Sequence, residues 1–278
     1  MPELPEVEFA RRRLAAWMPK RKVVALEIFD ERILRGASVK SIEHALVGRK
    51  VLDVTRKGKW LRITLHPRIK VFSHLGMSGR WVEREANAPI ERFERVRLTL
   101  SRGARTTTVR YLDMRLFGRF VVARADSAEW AALGPDPILD GIDPATFARA
   151  LRGRKKTIKE ALLDQSILAG VGNIYATEAL FRARIDPRAR TNTLSDAHVR
   201  AIAKGVDASL RAGIALTTGD ELAYLQDGKR EGAKAVSNPF RIYGRGGKPC
   251  PRCKKTALSR IVLGGRTTVF CSRCQHLD

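Results

Sequence analysis

Residues 158–181 read IKEALLDQSILAGVGNIYATEALF. Apolar residues recur at helical spacing on both sides of Ala169-Gly170-Val171-Gly172, which predicts two helices, Ile158 to Leu163 and Ile174 to Phe181, joined by a tight turn. The second helix is expected to begin at Gly172-Asn173. Glycines there let backbone approach a ligand closely, and an asparagine N-cap beside unpaired helix N–H groups presents donors to an anion. An ordinary helical hairpin would show the same periodicity. Net charge favours the anion site: 53 Lys+Arg against 29 Asp+Glu give +24, far more than solubility requires, so a polyanionic partner is expected. The basic residues are spread along the chain without a block of six, which points to a basic face on folded domains and ranks nucleic acid above a membrane surface.

Outward from this hairpin, Ala197 to Leu210 continues the helical pattern, and Asp143-Pro144 reads as the cap of an earlier helix. Leu133-Gly134-Pro135-Asp136-Pro137, with Asp140-Gly141, breaks both periodicities and reads as an interdomain linker over 133–142. Before it, Val7, Ala10, Leu14, Trp17 and Met18 form the stripe of an amphipathic helix. From Lys22 to about Arg124 the pattern changes to short alternating runs: Val24, Leu26, Ile28; Leu61, Ile63, Leu65; Val96, Leu98, Leu100. These predict half-buried antiparallel strands, with a hairpin turn at Ser101-Arg102-Gly103, in a β-sandwich or flattened barrel. The expected fold class is a multi-domain α+β protein. An N-terminal helix and antiparallel β-sandwich (2–132) are followed by a helical domain (143–240) and a zinc-ribbon hairpin (241–278).

All four cysteines fall in that last segment, as Cys250-Pro-Arg-Cys253 and Cys271-Ser-Arg-Cys274. Two C-x2-C knuckles separated by residues 254–270 have zinc-ribbon spacing, and four thiolates fill a tetrahedral shell, so one structural zinc ion is expected. Disulfides are disfavoured because nothing in the sequence suggests secretion. Within the ribbon, Gly264-Gly265 predicts a two-residue hairpin turn with Arg266 at its tip, a preorganised phosphate probe. In His74-Leu75-Gly76-Met77-Ser78-Gly79, Met77 has no core periodicity; it fits either a gap-filling core residue or an exposed wedge of the kind that replaces a displaced base.

The chain opens Met1-Pro2-Glu3-Leu4-Pro5-Glu6. Loss of Met1 would leave a proline secondary amine beside a carboxylate. A terminal amine titrates near pH ~8, about two units below lysine, and is therefore a nucleophile without needing burial. Stiffening of the segment before a helix would explain the prolines alone.

Together, MPELPEVE, HLGMSG, DMRLFG (113–118), LGPDP, LLDQSILAGVGNIYATEALF and GGRTTVFCSRCQ resemble, in order and along the whole chain, the bacterial formamidopyrimidine-DNA glycosylases, the family that also includes endonuclease VIII. The resemblance implies a helix-two-turn-helix module between the sandwich and the zinc finger. It implies a bifunctional glycosylase and AP lyase that removes oxidised purines from duplex DNA. Pro2 would be the nucleophile at the sugar C1′ and Glu3 the acid for the opening ring. Lys59, His74, Asn173 and Arg266 would clamp phosphates around the lesion, with Lys155 counted among the DNA contacts. Glu178 would help order the active site. Met77, Arg115 and Phe117 would fill the gap left by the flipped base, Arg115 facing the orphaned partner.

Two departures stand out. Arg115-Leu116 occurs where many relatives have two arginines, and residues 219–242 lack the lid sequence of guanine-specific members. An endonuclease VIII-like preference for oxidised pyrimidines is one rival, and a non-catalytic damaged-DNA binder is another; the intact Pro2-Glu3 pair speaks against the second. No stretch approaches 18 apolar residues, and Glu3, Glu6 and Glu8 stand where a signal peptide would carry lysines, so a cytoplasmic protein, nucleoid-associated through DNA binding, is expected. A monomer without an organic cofactor is the simplest expectation.

Overall fold

The computed structural model describes residues 1–217 and 238–277, so the expectations for Asp227 to Gly232 and the rest of 218–237 lie outside them. Two compact units are present: Met1–Pro2 with Glu6–Ala132, and Glu3–Pro5 with Leu133–Asp278.

The first unit begins with α1 (Leu4–Trp17), followed by β1 (Lys22–Ile28), α2 (Val39–Leu46), β2 (Val51–Lys57), β3 (Trp60–Leu65), β4 (Ile69–His74), β5 (Arg80–Glu85), β6 (Glu94–Arg102), β7 (Arg105–Leu112), β8 (Arg119–Ala123) and the short α3 (Ala128–Ala131). Two antiparallel sheets form, β1-β6-β7-β5 and β2-β3-β4-β8. Val7 and Leu14 of α1 share one core with Val96, Leu98 and Leu100 of β6 and with Leu61, Ile63 and Leu65 of β3. Period-2 alternation puts those strand residues on one face, and their burial against the facing sheet supplies the main stabilisation.

Alternation fails in β1. Val24 is exposed while Val23 and Leu26 are buried, because a bulge between Val23 and Ala25 shifts the register against β6. The β6–β7 turn also differs from expectation. Arg102 pairs with Arg105, so Ser101 and Arg102 stay in the ladder and the turn is Gly103-Ala104, with Gly103 at φ 59°.

The second unit contains α4 (Pro144–Arg152), α5 (Ile158–Leu163), α6 (Asn173–Ala183), α7 (Asp196–Leu216), β9 (Ser259–Leu263) and β10 (Arg266–Phe270). Asp143 caps α4 by accepting from Thr146 N with Pro144 at the first turn, and Thr157 with Glu160 forms a reciprocal capping box on α5. Leu133 to Ile142 is not a free tether: Gly134 N donates to Gln165 O, Ala169 N donates to Pro135 O, and buried Asp136 accepts from Ile138 N and Leu139 N. Leu151, Leu162, Tyr175, Leu180, Val206 and Leu210 build the helical core. Phe181 packs with Ile242, Leu258, Val269 and the ribbon cysteines.

In the first unit, Arg56 is fully buried; its Nε donates to Glu8 Oε2 (3.1 Å) and its Nη1 to Gly58 O (3.1 Å), joining α1 to the turn that carries Lys59. Burial alone would raise the Glu8 carboxyl, but hydrogen bonds and charge from Arg11 and Arg56 prevail and bring it down to about 2. A carboxyl lowered in the folded state stabilises above its unfolded value of 4.5, and that contribution is lost as pH falls toward 2. Glu8→Gln is therefore expected to be less stable at pH 7, with a shallower loss of stability between pH 4.5 and 2 than the parent, as urea titrations across that range would show.

Candidate active site

In the second unit, the sequence Ala169-Gly170-Val171-Gly172 makes the predicted turn, and Gln165 braces it. Its Nε2 donates to Leu163 O and Val171 O, and its Oε1 accepts from Gly170 N. The cap of α6 is Gly172, with Asn173 the first helical residue, so Asn173 does not cap the helix as expected. The helix N-terminus does hold an anion, and it is one the chain supplies. Glu3, 2% exposed, accepts from Gly172 N (2.9 Å), Ile174 N (2.8 Å) and Tyr175 N (3.2 Å). Donors expected to face a phosphate are thus spent on a carboxylate, which also benefits from the positive end of the helix dipole. Leu4 N donates to Gly170 O and extends the attachment. A methyl group at Gly172 would overlap the Glu3 carboxyl, so this glycine is required for the approach.

Asn173 faces the ribbon instead: its Nδ2 donates to Thr267 O (2.9 Å), the residue after Arg266. Gly264 (φ 53°) and Gly265 (φ 70°) form the β9–β10 turn, and exposed Arg266 opens β10 opposite Leu263, beside the turn and not at its tip. Glu178 is buried and accepts from Arg241 N, Ile242 N and Tyr243 N (3.0, 2.9 and 2.9 Å), fixing the chain where it enters the ribbon.

Lys155 lies exposed on the α4–α5 loop, where its carbonyl accepts from Arg190 Nη1. The lysine brought into the site is Lys159, fully buried on α5. Its Nζ donates to Asn173 O (2.9 Å) and to Thr177 Oγ1. Burial pulls the ammonium down to about 7, although the charges of Glu3 and Glu178 oppose that shift. Its sequence signal was a charged residue among the buried positions Ile158, Ala161 and Leu162 of one short helix.

In the first unit, strand register gathers the other candidates at one end of a sheet. Trp60 pairs with His74, and His74 with Arg119. Lys59, largely buried, directly precedes β3, and the turn after β4 carries Met77. His74 Nδ1 accepts from Gly76 N (3.0 Å), which assigns the ring proton to Nε2. Burial, reinforced by the charges of Lys59 and Arg119, lowers the His74 imidazole to about 4, so it is a neutral donor at pH 7. Met77 (40% exposed) and Phe117 (53%) are open to solvent, and the Arg115 guanidinium lies 5.1 Å from the Phe117 ring centre. Met77 is therefore a surface residue, not core filler. Pro2 is buried.

The four cysteine sulfurs lie within 4.8 Å of one another, with Cys250–Cys274 and Cys253–Cys271 each at 3.9 Å. That is close to the ~3.8 Å edge of a tetrahedron with Zn–S bonds of ~2.3 Å, and far beyond a disulfide. Burial, then the neighbouring sulfurs, pushes the Cys274 thiol up to about 12, so four thiolates here require a cation between them.

Comparison with known proteins is consistent along the chain. The formamidopyrimidine-DNA glycosylase N-terminal domain matches residues 1–120, the H2TH domain of that enzyme 133–222, and the zinc finger found in FPG and IleRS 247–277. A formamidopyrimidine-DNA glycosylase of Desulfitobacterium hafniense is 38% identical over 279 residues, covering 99% of this chain and 100% of the relative. A structure of MutM in complex with carbocyclic 8-oxo-G containing DNA has a TM-score of 0.85 at 29% identity, covering 99% of this chain and 100% of that one. A Lactococcus lactis FPG mutant with Fapy-dG containing DNA has a TM-score of 0.84 at 27% identity, with the same coverage. The cysteine cluster, matched as a zinc finger, binds one zinc ion.

Because Lys159 is lowered to about 7 in the folded protein against an ordinary 10.5, the unfolded chain holds one more proton between those values, and this group makes stability rise with pH there. Lys159→Met should remove that rise. Urea unfolding at pH 7, 8 and 9 would show it as a difference in slope between variant and parent.

Proposed function

The chain belongs to the formamidopyrimidine-DNA glycosylase family, and from that premise we propose how its own residues carry out the reaction. It is a base-excision repair enzyme with glycosylase and lyase activity. Once Met1 is removed, the Pro2 nitrogen donates its lone pair to the sugar C1′ of a flipped nucleotide. The glycosidic bond breaks, and its electrons leave with the base, which takes up a proton. Glu3 protonates the ring oxygen as the sugar opens, leaving an iminium on Pro2. That iminium acidifies C2′, so loss of a proton there expels the 3′ phosphate; a second elimination, through C4′, expels the 5′ phosphate.

The observation that carries this reading is the three-donor attachment of Glu3. It fixes the acid and, one peptide bond away, the nucleophile. Lys59, neutral His74, Asn173 and Arg266 serve as phosphate contacts, and Glu178 orders the segment leading to Arg266. Met77, Arg115 and Phe117 occupy the gap left by the base. Lys155, exposed on its loop, is a further DNA contact. Oxidised purines are the substrate class, in keeping with the Fapy-dG and 8-oxo-G DNA bound by the two structural relatives. No described helix is long and apolar enough to cross a membrane, and we place the enzyme on nucleoid DNA in the cytoplasm, as a monomer.

Intact-mass analysis should find active protein without Met1, and borohydride should trap it on lesion DNA through Pro2. Undiminished trapping by Pro2→Gly with a blocked N-terminus would overturn the assignment. Glu3→Gln should lose excision while still binding the lesion. On a panel of duplexes, formamidopyrimidine should be released at least as fast as 8-oxoguanine, and both faster than thymine glycol; the reverse order would favour the endonuclease VIII-like rival. Zinc chelation should weaken DNA binding. Arg266→Ala should cost about 1–3 kcal/mol and reduce the salt slope of log affinity by about one unit, as the loss of one phosphate contact requires.

A further inference from the structure

Two crossovers connect the sheets of the first unit. Residues 75–79 lead from β4 in one sheet to β5 in the other, and residues 113–118 lead from β7 back to β8. The first carries Met77 and the second Arg115 and Phe117. One carboxylate lies at their junction. Asp113 is 1% exposed; its Oδ1 accepts from Ser78 Oγ (2.5 Å) and Arg115 N (3.2 Å), and its Oδ2 from Gly118 N (2.8 Å). Ser78 Oγ in turn accepts from Arg115 N (3.0 Å).

The two oxygens of Asp113 thus pin both ends of the 115–117 loop, while Ser78 fastens that loop to the neighbouring turn. The base of the loop is held as well, with Arg95 Nε donating to Asp113 O (2.8 Å). Contact between the crossovers is close. A methyl group at Gly76 would overlap the Phe117 carbonyl, and one at either Gly79 or Gly118 would overlap the Tyr111 hydroxyl, which itself donates to His74 O (3.3 Å). Leu116 is held at φ 56°, a backbone state that a loose loop would abandon.

We propose that Asp113 and Ser78 are positioning residues that fuse the Met77 turn and the Arg115–Phe117 loop into one wedge, assembled before DNA arrives. The proposal rests on the reading that Met77, Arg115 and Phe117 enter the duplex. Three exposed side chains on separate, mobile loops would each have to be ordered during base extrusion; a prefixed pair of loops has met that entropic cost on folding. The clamp therefore acts on extrusion of the base and leaves the chemistry at Pro2 untouched.

The test compares single-turnover excision of 8-oxoguanine from a duplex with cleavage at an abasic site in a single strand, where no base must be extruded. Stopped-flow fluorescence of 2-aminopurine beside the lesion follows unstacking. Ser78→Ala should slow unstacking and duplex excision about tenfold, the factor one hydrogen bond to a charged group accounts for, and leave abasic-strand cleavage within about twofold. Asp113→Asn should be slower still, because its amide nitrogen presents hydrogens to a backbone N–H. The double variant Ser78→Ala/Phe117→Ala should be slowed by less than the product of the two single effects, because part of what the clamp positions is already gone in Phe117→Ala. If Phe117→Ala leaves unstacking unchanged, the wedge reading falls and the clamp with it. If Phe117→Ala slows unstacking but Ser78→Ala does not, the clamp alone is overturned. Equal losses on both substrates, or additive effects in the double variant, would assign Ser78 a general folding role and also overturn it.

Discussion

Three backbone N–H groups at the start of α6 converge on the Glu3 carboxylate, and the position of the chain's first residues depends on that attachment. A helix N-terminus must find partners for its first donors, and a buried carboxylate must find hydrogens; each requirement is met by the other. The consequence is positional. Glu3 to Pro5 clusters with residues from Leu133 onward, while Pro2 and the rest of α1 cluster with the β-sandwich. A terminal segment that would ordinarily fray is thereby held by buried hydrogen bonds at the residue next to Pro2.

Electrostatics around this attachment are arranged by burial as much as by charge. Lys159 is buried at the α5–α6 hairpin with its ammonium lowered to about 7, and His74 is held neutral with its value lowered to about 4. Both lie in a chain carrying a net charge of +24, where the long-range field favours an anionic partner. Burial therefore sorts the basic groups into two kinds. Arginines such as Arg115 and Arg266 stay exposed at the surface, while Lys159 and His74 are hydrogen-bonding groups whose protonation is set by their burial.

The β-sandwich and the ribbon present exposed side chains in the same physical manner, on short connections with rigid ends. The 75–79 and 113–118 crossovers are anchored in antiparallel ladders at both ends, and the β9–β10 turn is closed by two left-handed glycines and pinned by the cysteine cluster. Loops of this kind can expose Met77, Phe117 and Arg266 without collapsing onto the core.

Much of this was legible in the sequence because it rests on local rules. Periodicity located α5, α6 and the buried faces of β3 and β6; C-x2-C spacing located the metal cluster; Asp143-Pro144 located a cap. What sequence alone misjudged depends on partners far along the chain. The bulge that exposes Val24 is set by pairing with β6. Asn173 was expected at a cap facing phosphate, but that N-terminus is filled by a carboxylate from residue 3. Lys159, which the sequence reading passed over, is the lysine that folding buries. Composition and spacing determined the chemistry this chain could perform. Only the tertiary structure decided which polar groups meet, because a buried donor accepts whichever partner the fold delivers within about 3 Å, at any separation in sequence.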